Sequence, residues 1–333
     1  LLAHCRRIAA VASRVPRLSN AVLGSRLTRW VNERVLGITA EREFPAFAHQ
    51  TFREWWAGRG GAAESRRRAR AAREASTVET GATAESSPDE AKRIAYFHGC
   101  YANYNTPAVA KALVRVYESF GYEIILPEQG CSGTPMFANG MLPDARSEAE
   151  TNVASLADAL DAGYDVVCSC TSCSLSLRQE YPELFDLEDV DRVAERTFEA
   201  LEYLRIHEDL PGALEEADAA ETDLPADFAY HAPCHARNQG LDRQARELFG
   251  PVDGLGVEDV GDSCSGISGT YGWKAEKYDT SMAIGAEMLA EIDGAEGQTG
   301  LTECPTCAMQ MEHGTGYETR HPLEVLEALL VEE

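Results

Sequence analysis

Eight of the ten cysteines fall into two sets of four, and the second set repeats the first at a nearly constant offset. Cys100, Cys131, Cys170 and Cys173 recur as Cys234, Cys264, Cys304 and Cys307, displaced by 134, 133, 134 and 134 positions. Each set reads as a single Cys, then Cys-Ser-Gly, then Cys-x-x-Cys. Agreement over four positions points to a duplicated fold that brings each set to one place. Four thiolates are the ligand complement of one iron–sulfur cluster or one tetrahedral zinc. The chain is therefore expected to be a two-fold repeat holding two metal centres.

The residues between the cysteines alternate strand and helix. Ile94 to His98 reads as a short strand delivering Cys100. Pro107 at a helix start and Gly121 past its end bracket a helix through Phe120. A strand from Tyr122 to Leu126 leads to Cys131, and a helix from Pro143 to Ala162 stops at Gly163. A strand at 165–168 delivers Cys170 and Cys173, and a helix follows through Leu184. The second copy repeats this with strands near 228–231, 255–260 and 299–303 and helices near 240–249, 279–292 and 321–331. Such alternation predicts an α/β fold of two pseudo-two-fold related repeats, each a small parallel sheet with flanking helices. Every quartet cysteine then lies beyond the carboxyl end of a strand, where open α/β sheets place their sites.

Charge marks the remaining organisation. The net charge is −25, yet residues 1–75 carry 15 Arg against 6 acids, a net of +9 that leaves −34 elsewhere. The expected divisions are a basic helical segment at 1–57, a flexible linker at 58–91, a first cysteine-rich repeat at 92–225 and a second at 226–333. The basic segment is read either as a helical arm packed on the acidic body or as an amphipathic surface for a membrane or partner subunit. The acidic body excludes nucleic acid as a partner. With only 4 Lys against 26 Arg and many acids, the composition suggests a high-salt cytoplasm. No run of about 18 apolar residues is present, so no transmembrane helix is expected. No secretion signal is recognisable, which favours metal ligation over disulfides.

Three occupants compete for each quartet. Structural zinc usually takes paired Cys-x-x-Cys knuckles, whereas only one local pair exists in each set here. A thiol–disulfide centre needs the Cys-x-x-Cys alone and leaves Cys100 and Cys131 unexplained. An iron–sulfur cluster uses all four, and Gly133 and Gly266 would let backbone amides approach cluster sulfurs. Cys168 has Thr302 as its repeat counterpart and is read as a core residue. Cys5 has no partner at ligand spacing and is read as a bystander. His98, His231 and His235 flank the first cysteine of each set; they are read as backbone-bonding or tuning residues, with a proton relay as the alternative.

The stretches FHGCYANYN (97–105), CSGTPMFANG (131–140), LRQEYPEL (177–184), HAPCH (231–235), CSGISGTYGWKAEKYDTSMAIG (264–285) and ECPTC (303–307) resemble the family of anaerobic glycerol-3-phosphate dehydrogenase C subunits. TFREWW at 51–56 resembles that family's segment before the domain. The wider relationship is to cysteine-rich CCG domains, also found in the B subunit of heterodisulfide reductase and in lactate and glycolate oxidase iron–sulfur subunits.

The resemblance implies a non-catalytic subunit with two iron–sulfur clusters of the 4Fe–4S kind. It implies partnership with a flavoprotein dehydrogenase subunit, a further complex subunit and a membrane quinone. It also implies a cytoplasmic location, peripheral on the inner face of the membrane. A lactate or glycolate oxidase complex, or a heterodisulfide-reductase-like one, is the alternative setting. Two departures stand out. The family's ferredoxin-like region is not found before residue 100, and the non-Met start favours truncation. Both Cys-Cys-Gly motifs read Cys-Ser-Gly, with Ser132 and Ser265 replacing the second cysteine. That replacement argues for ordinary four-cysteine clusters, with each hydroxyl donating to a cluster sulfur or acting as a ligand.

Overall fold

Two four-stranded sheets, both wholly parallel, organise the chain; a computed structural model describes residues 2–80, 92–261 and 263–331. The first sheet comprises β1 (Arg93–Phe97), β2 (Glu123–Ile125), β3 (Asp165–Cys168) and β4 (Thr197–Glu199), in the order β2-β1-β3-β4. The second comprises β5 (Asp227–Tyr230), β6 (Gly256–Asp259), β7 (Gly300–Leu301) and β8 (Thr319–Arg320), in the order β6-β5-β7-β8. The orders are identical, so the duplication read from the cysteines is a duplication of topology. In each sheet the chain leaves the first strand in one direction and returns on its other side. A crevice therefore opens at the carboxyl ends between β1 and β3, and again between β5 and β7.

The central strands of the first sheet are buried. Ile94, Ala95, Tyr96 and Phe97 of β1 are all fully inaccessible, as are Val166, Val167 and Cys168 of β3. One apolar core spans both repeats, joining Tyr96, Leu113 and Tyr117 to Phe228, Tyr230, Leu323 and Leu326. Burying each such side chain contributes about 1.5–3 kcal/mol, so the two halves stabilise each other.

The amino-terminal arm is helical, as expected: α1 (Cys5–Ala12), α2 (Pro16–Gly24), α3 (Arg26–Leu36) and α4 (Phe52–Gly58). It divides the two readings given to it. Residues 38–44 dock on the second repeat: Arg42 is buried and donates to the Gly272 carbonyl at 2.9 Å, and Phe44 stacks on Trp273 at 5.1 Å. Phe52 and Trp56 enter the main core, with Phe52 edge-on to Tyr96 and His98. Much of α1 to α3, by contrast, stays exposed and apolar.

The flexible linker expected at 58–91 needs correcting. A 20-residue helix, α5 (Gly61–Thr80), runs through it, while residues 81–91 lie outside the described part. Ala69 of α5 is buried, Ser65 Oγ accepts from the Ile124 amide at 3.1 Å, and Arg66 pairs with Glu123 at 3.2 Å. Alanine and arginine are strong helix formers, and Glu64 pairs with both Arg67 and Arg68 along the helix. A composition that looked like a linker thus supplies an edge cover for the first sheet.

Candidate metal centres

Each quartet cysteine emerges where the crevice argument requires. β1 runs into α6 (Gly99–Tyr104), whose second residue is Cys100. The loop after β2 carries Cys131 just ahead of a short helix, Thr134–Phe137. Cys170 caps the helix after β3, and Cys173 lies in its first turn. In the second repeat Cys234 opens a short helix after β5, Cys264 follows β6, and Cys304 caps the 11-residue helix Pro305–Thr315, with Cys307 in its first turn. Helix starts present free backbone N–H groups and the positive dipole end, which favours thiolates. All eight sulfur-bearing residues line one cavity of about 1170 Å³.

Within the first repeat the cysteines form two subgroups. The sulfurs of Cys100 and Cys131 lie within 4.8 Å of each other and of a third, Cys5. Cys173 bonds to Cys170 and to Ser132 Oγ, the latter at 3.4 Å. In the second repeat Cys307 bonds to Cys304 and reaches Ser265 Oγ at 3.5 Å. Cys234 and Cys264 stay exposed, in contrast to buried Cys131. Gly266 takes φ of +76°, and its amide donates to Cys264 Sγ at 3.4 Å. Gly133, at φ +87°, directs its amide to Cys131. Both glycines hold N–H groups against a cysteine sulfur. A Cβ on Gly266 would lie 2.2 Å from the Ser281 carbonyl oxygen, so no other residue fits there.

Crowding sets the protonation pattern. Hydrogen bonding to Cys131 and Cys5, together with burial, holds the Cys100 thiol well above its usual range. Bonding to Cys170 and burial do the same for Cys173, and bonding to Cys304 and burial do it for Cys307. Cys304 moves well below its usual range because Cys307 donates to it, and Cys5 falls to about 4 because Cys100 and Cys131 do likewise. Crowded, buried thiols of this kind resist ionising together. Ionising four together requires a compensating cationic centre, and this donor set fits one. A single zinc needs all four sulfurs about 2.3 Å from one point. Among the described residues no four side chains close in that way; only Cys5, Cys100 and Cys131 gather within 4.8 Å.

The two quartets meet. Ser172, inside the first Cys-x-x-Cys, places its hydroxyl 3.7 Å from Cys304 Sγ of the second quartet. His235 Nδ1 sits 2.8 Å from that same hydroxyl. His321, which the sequence did not single out, caps the last helix (Pro322–Leu330) through Nδ1 and bonds the Ser169 carbonyl through Nε2 at 2.9 Å. His98 and His231 are buried, and burial pulls them to about 3 and about 4. Both are neutral rings, which suits packing better than proton relay. Cys168 is fully buried in β3, away from the cavity lining, as a core residue. Cys5 is not a bystander: the fold carries it to Cys100 and Cys131. A separation of 95 positions hides that proximity from any spacing rule.

Two parallel sheets, each delivering four thiols to one shared cavity, define a tandem cysteine-cluster protein. A family profile for the CCG cysteine-rich domain matches residues 94–178 and again 228–312. The chain is 30% identical to the C subunit of the anaerobic glycerol-3-phosphate dehydrogenase of Escherichia coli K12, over 98% of this chain and 75% of that protein. It is 27% identical to the B subunit of the fumarate reductase (CoM/CoB) of Methanothermobacter marburgensis, over 71% of this chain and 45% of that one. It is 28% identical to a probable glycolate oxidase iron–sulfur subunit of Bacillus subtilis, over 67% of this chain and 50% of that one. The chain belongs to the cysteine-rich domain family, among the anaerobic glycerol-3-phosphate dehydrogenase C subunits.

Proposed function

We propose that this chain is a non-catalytic iron–sulfur electron-transfer subunit of an anaerobic glycerol-3-phosphate dehydrogenase complex. In this reading Cys100, Cys131, Cys170 and Cys173 hold one 4Fe–4S cluster, and Cys234, Cys264, Cys304 and Cys307 hold a second. Such clusters, when bound, supply one-electron oxidation and reduction. The chain's own residues set the conditions. Helix starts and glycine amides stabilise thiolate charge, and Ser132 and Ser265 offer hydroxyls to Cys173 and Cys307. The observation that carries the relay is the 3.7 Å contact between Ser172 and Cys304, which joins the two quartets through a single side chain.

The partners follow from the same reading: a flavoprotein subunit as electron donor, a further complex subunit, and a membrane quinone as acceptor. Among the described residues no helix is long and apolar enough to cross a membrane. Among the described residues, ten of the fourteen exposed large hydrophobic side chains lie between residues 8 and 36, interleaved with Arg14, Arg17, Arg26, Arg29 and Arg34. A basic amphipathic surface of this kind supports peripheral binding to the inner face of an anionic membrane.

Anaerobic co-purification with the flavoprotein, followed by visible and EPR spectroscopy, tests the proposal. Cluster reduction by glycerol 3-phosphate is the expected result. Reduction by lactate or glycolate instead would assign the chain to an oxidase complex for that substrate, glycolate being the one its Bacillus subtilis relative is named for.

A further inference from the structure

We propose that Cys5 is a fifth thiolate ligand of the first centre, so that the two centres are chemically unequal. The inference rests on the reading of the first quartet as a cluster site.

The arm is built to present this side chain. Cys5 opens α1, which packs on α6, the helix of Cys100. Ala3 and Ala9 are buried on either side of it. Arg6 donates to the Gln129 carbonyl at 3.2 Å, and Gln129 Oε1 accepts from the Gly99 amide, also at 3.2 Å. Arg6 also pairs with Glu148 at 3.7 Å, and that carboxylate accepts from the Cys131 amide at 2.9 Å. One residue beyond Cys5, a single guanidinium thus ties α1 to the loops of both sulfurs that Cys5 approaches. The outcome is three sulfur atoms mutually within 4.8 Å.

The second quartet lacks this addition: Cys234 and Cys264, the counterparts of Cys100 and Cys131, are exposed. Ser132 takes one thiolate from the first site, and Cys5 returns one from a different direction. Four cysteines already supply one thiolate to each of four irons, so the Cys5 thiolate would add to an iron that is already ligated, forming its S–Fe bond as its S–H bond breaks. The proton leaves to water, and no electron changes hands.

The test uses the full chain isolated anaerobically with its clusters, as wild type, Cys5→Ala and Cys5→Ser. EPR of the reduced proteins and alkylation by iodoacetamide read by mass spectrometry are the two measurements. Wild type should show two distinguishable cluster signals, one of which shifts or disappears in Cys5→Ala while the other is unchanged. Cys5 is only partly buried, so a free thiol would be alkylated. It should resist iodoacetamide in the loaded protein and react once iron is chelated away. Alkylation confined to Cys5 with both clusters intact overturns the inference, as do two unchanged signals in Cys5→Ala, and either result leaves the proposed function standing. An iron-free wild type overturns the cluster reading and this inference together. Should the alanine variant fail to fold, the wild-type alkylation pattern decides alone.

Discussion

Ser132 Oγ lies 3.4 Å from Cys173 Sγ. The contact recurs between Ser265 and Cys307 at 3.5 Å. The serine that replaces a second cysteine therefore keeps its place beside the Cys-x-x-Cys sulfur in both repeats. Toward a ligated thiolate such a hydroxyl donates, and donation stabilises the more negative, reduced cluster. Replacing Ser132 or Ser265 by Ala should leave iron content unchanged and make the corresponding potential more negative. The loss of about 1 kcal/mol per hydrogen bond amounts to tens of millivolts for a one-electron couple. Redox titration followed by EPR measures it. Loss of iron from the alanine variants would instead make the serines ligands.

Ser172 should matter to the opposite centre from the one its sequence position suggests. It lies between Cys170 and Cys173 but touches Cys304 and His235. Ser172→Ala is expected to move the potential of the second cluster more than that of the first. Separate titration of the two EPR signals checks this.

Stability should depend on pH through five buried groups. Burial pulls His98 to about 3 and both His231 and His321 to about 4. Their folded pKa values lie below the unfolded value of about 6.5, so their contribution is complete above that pH and is lost as pH falls towards 4. Burial raises Glu199 to about 7 and Glu303 to about 8. Their contribution is complete below the unfolded value of about 4.3 and is lost as pH rises through 7 to 8. Glu303 offers the cleanest test, because its carboxyl is fully buried and accepts from Tyr230 at 3.0 Å. Glu303→Gln keeps an acceptor there and cannot ionise. Its Tm advantage over wild type should grow above about pH 4.3 and level off above about pH 8.

How much of this was legible in the sequence depended on whether local chemistry decided it. β1 and β3 announced themselves as apolar runs, and Gly121 and Gly163 end their helices at φ of +83° as their positions implied. The repeat alone named the eight cysteines that the fold brings to one cavity. β4 and β8, of three and two residues, are too short to carry an alternating pattern and exist because β3 and β7 offer open edges. α5 was hidden by its charge density, although its alanines and ion pairs were visible. Within the expected helix to Leu184, a π-helical turn at Ser176–Glu180 was also missed; it lets Ser176 meet Thr134 at 3.0 Å, a tertiary demand no window on the sequence reveals. Cys5 and His321 reach the centres only through folding.

Gly266 should tolerate no side chain. Gly266→Ala faces both a left-handed backbone and the Ser281 carbonyl oxygen 2.2 Å from the new Cβ. A cost of at least about 1–3 kcal/mol is expected from the backbone alone, with the second cluster lost before the first. Gly24→Ala is the control, since nothing lies within 4 Å of its Cβ position. Chemical denaturation together with iron analysis distinguishes the two variants.

The arm should bind anionic bilayers. Leu18, Leu27 and Val35 are 63%, 72% and 73% exposed, so glutamate at these positions leaves the core intact. The triple variant should lose co-sedimentation with vesicles containing anionic lipid while keeping wild-type visible spectra.

Iron and acid-labile sulfide, counted on the anaerobically purified full chain, decide whether both repeats bear a cluster. Two clusters give a brown protein with about eight iron and eight sulfide per chain, four of each per cluster. A colourless protein holding zinc and no sulfide would contradict the two-cluster reading.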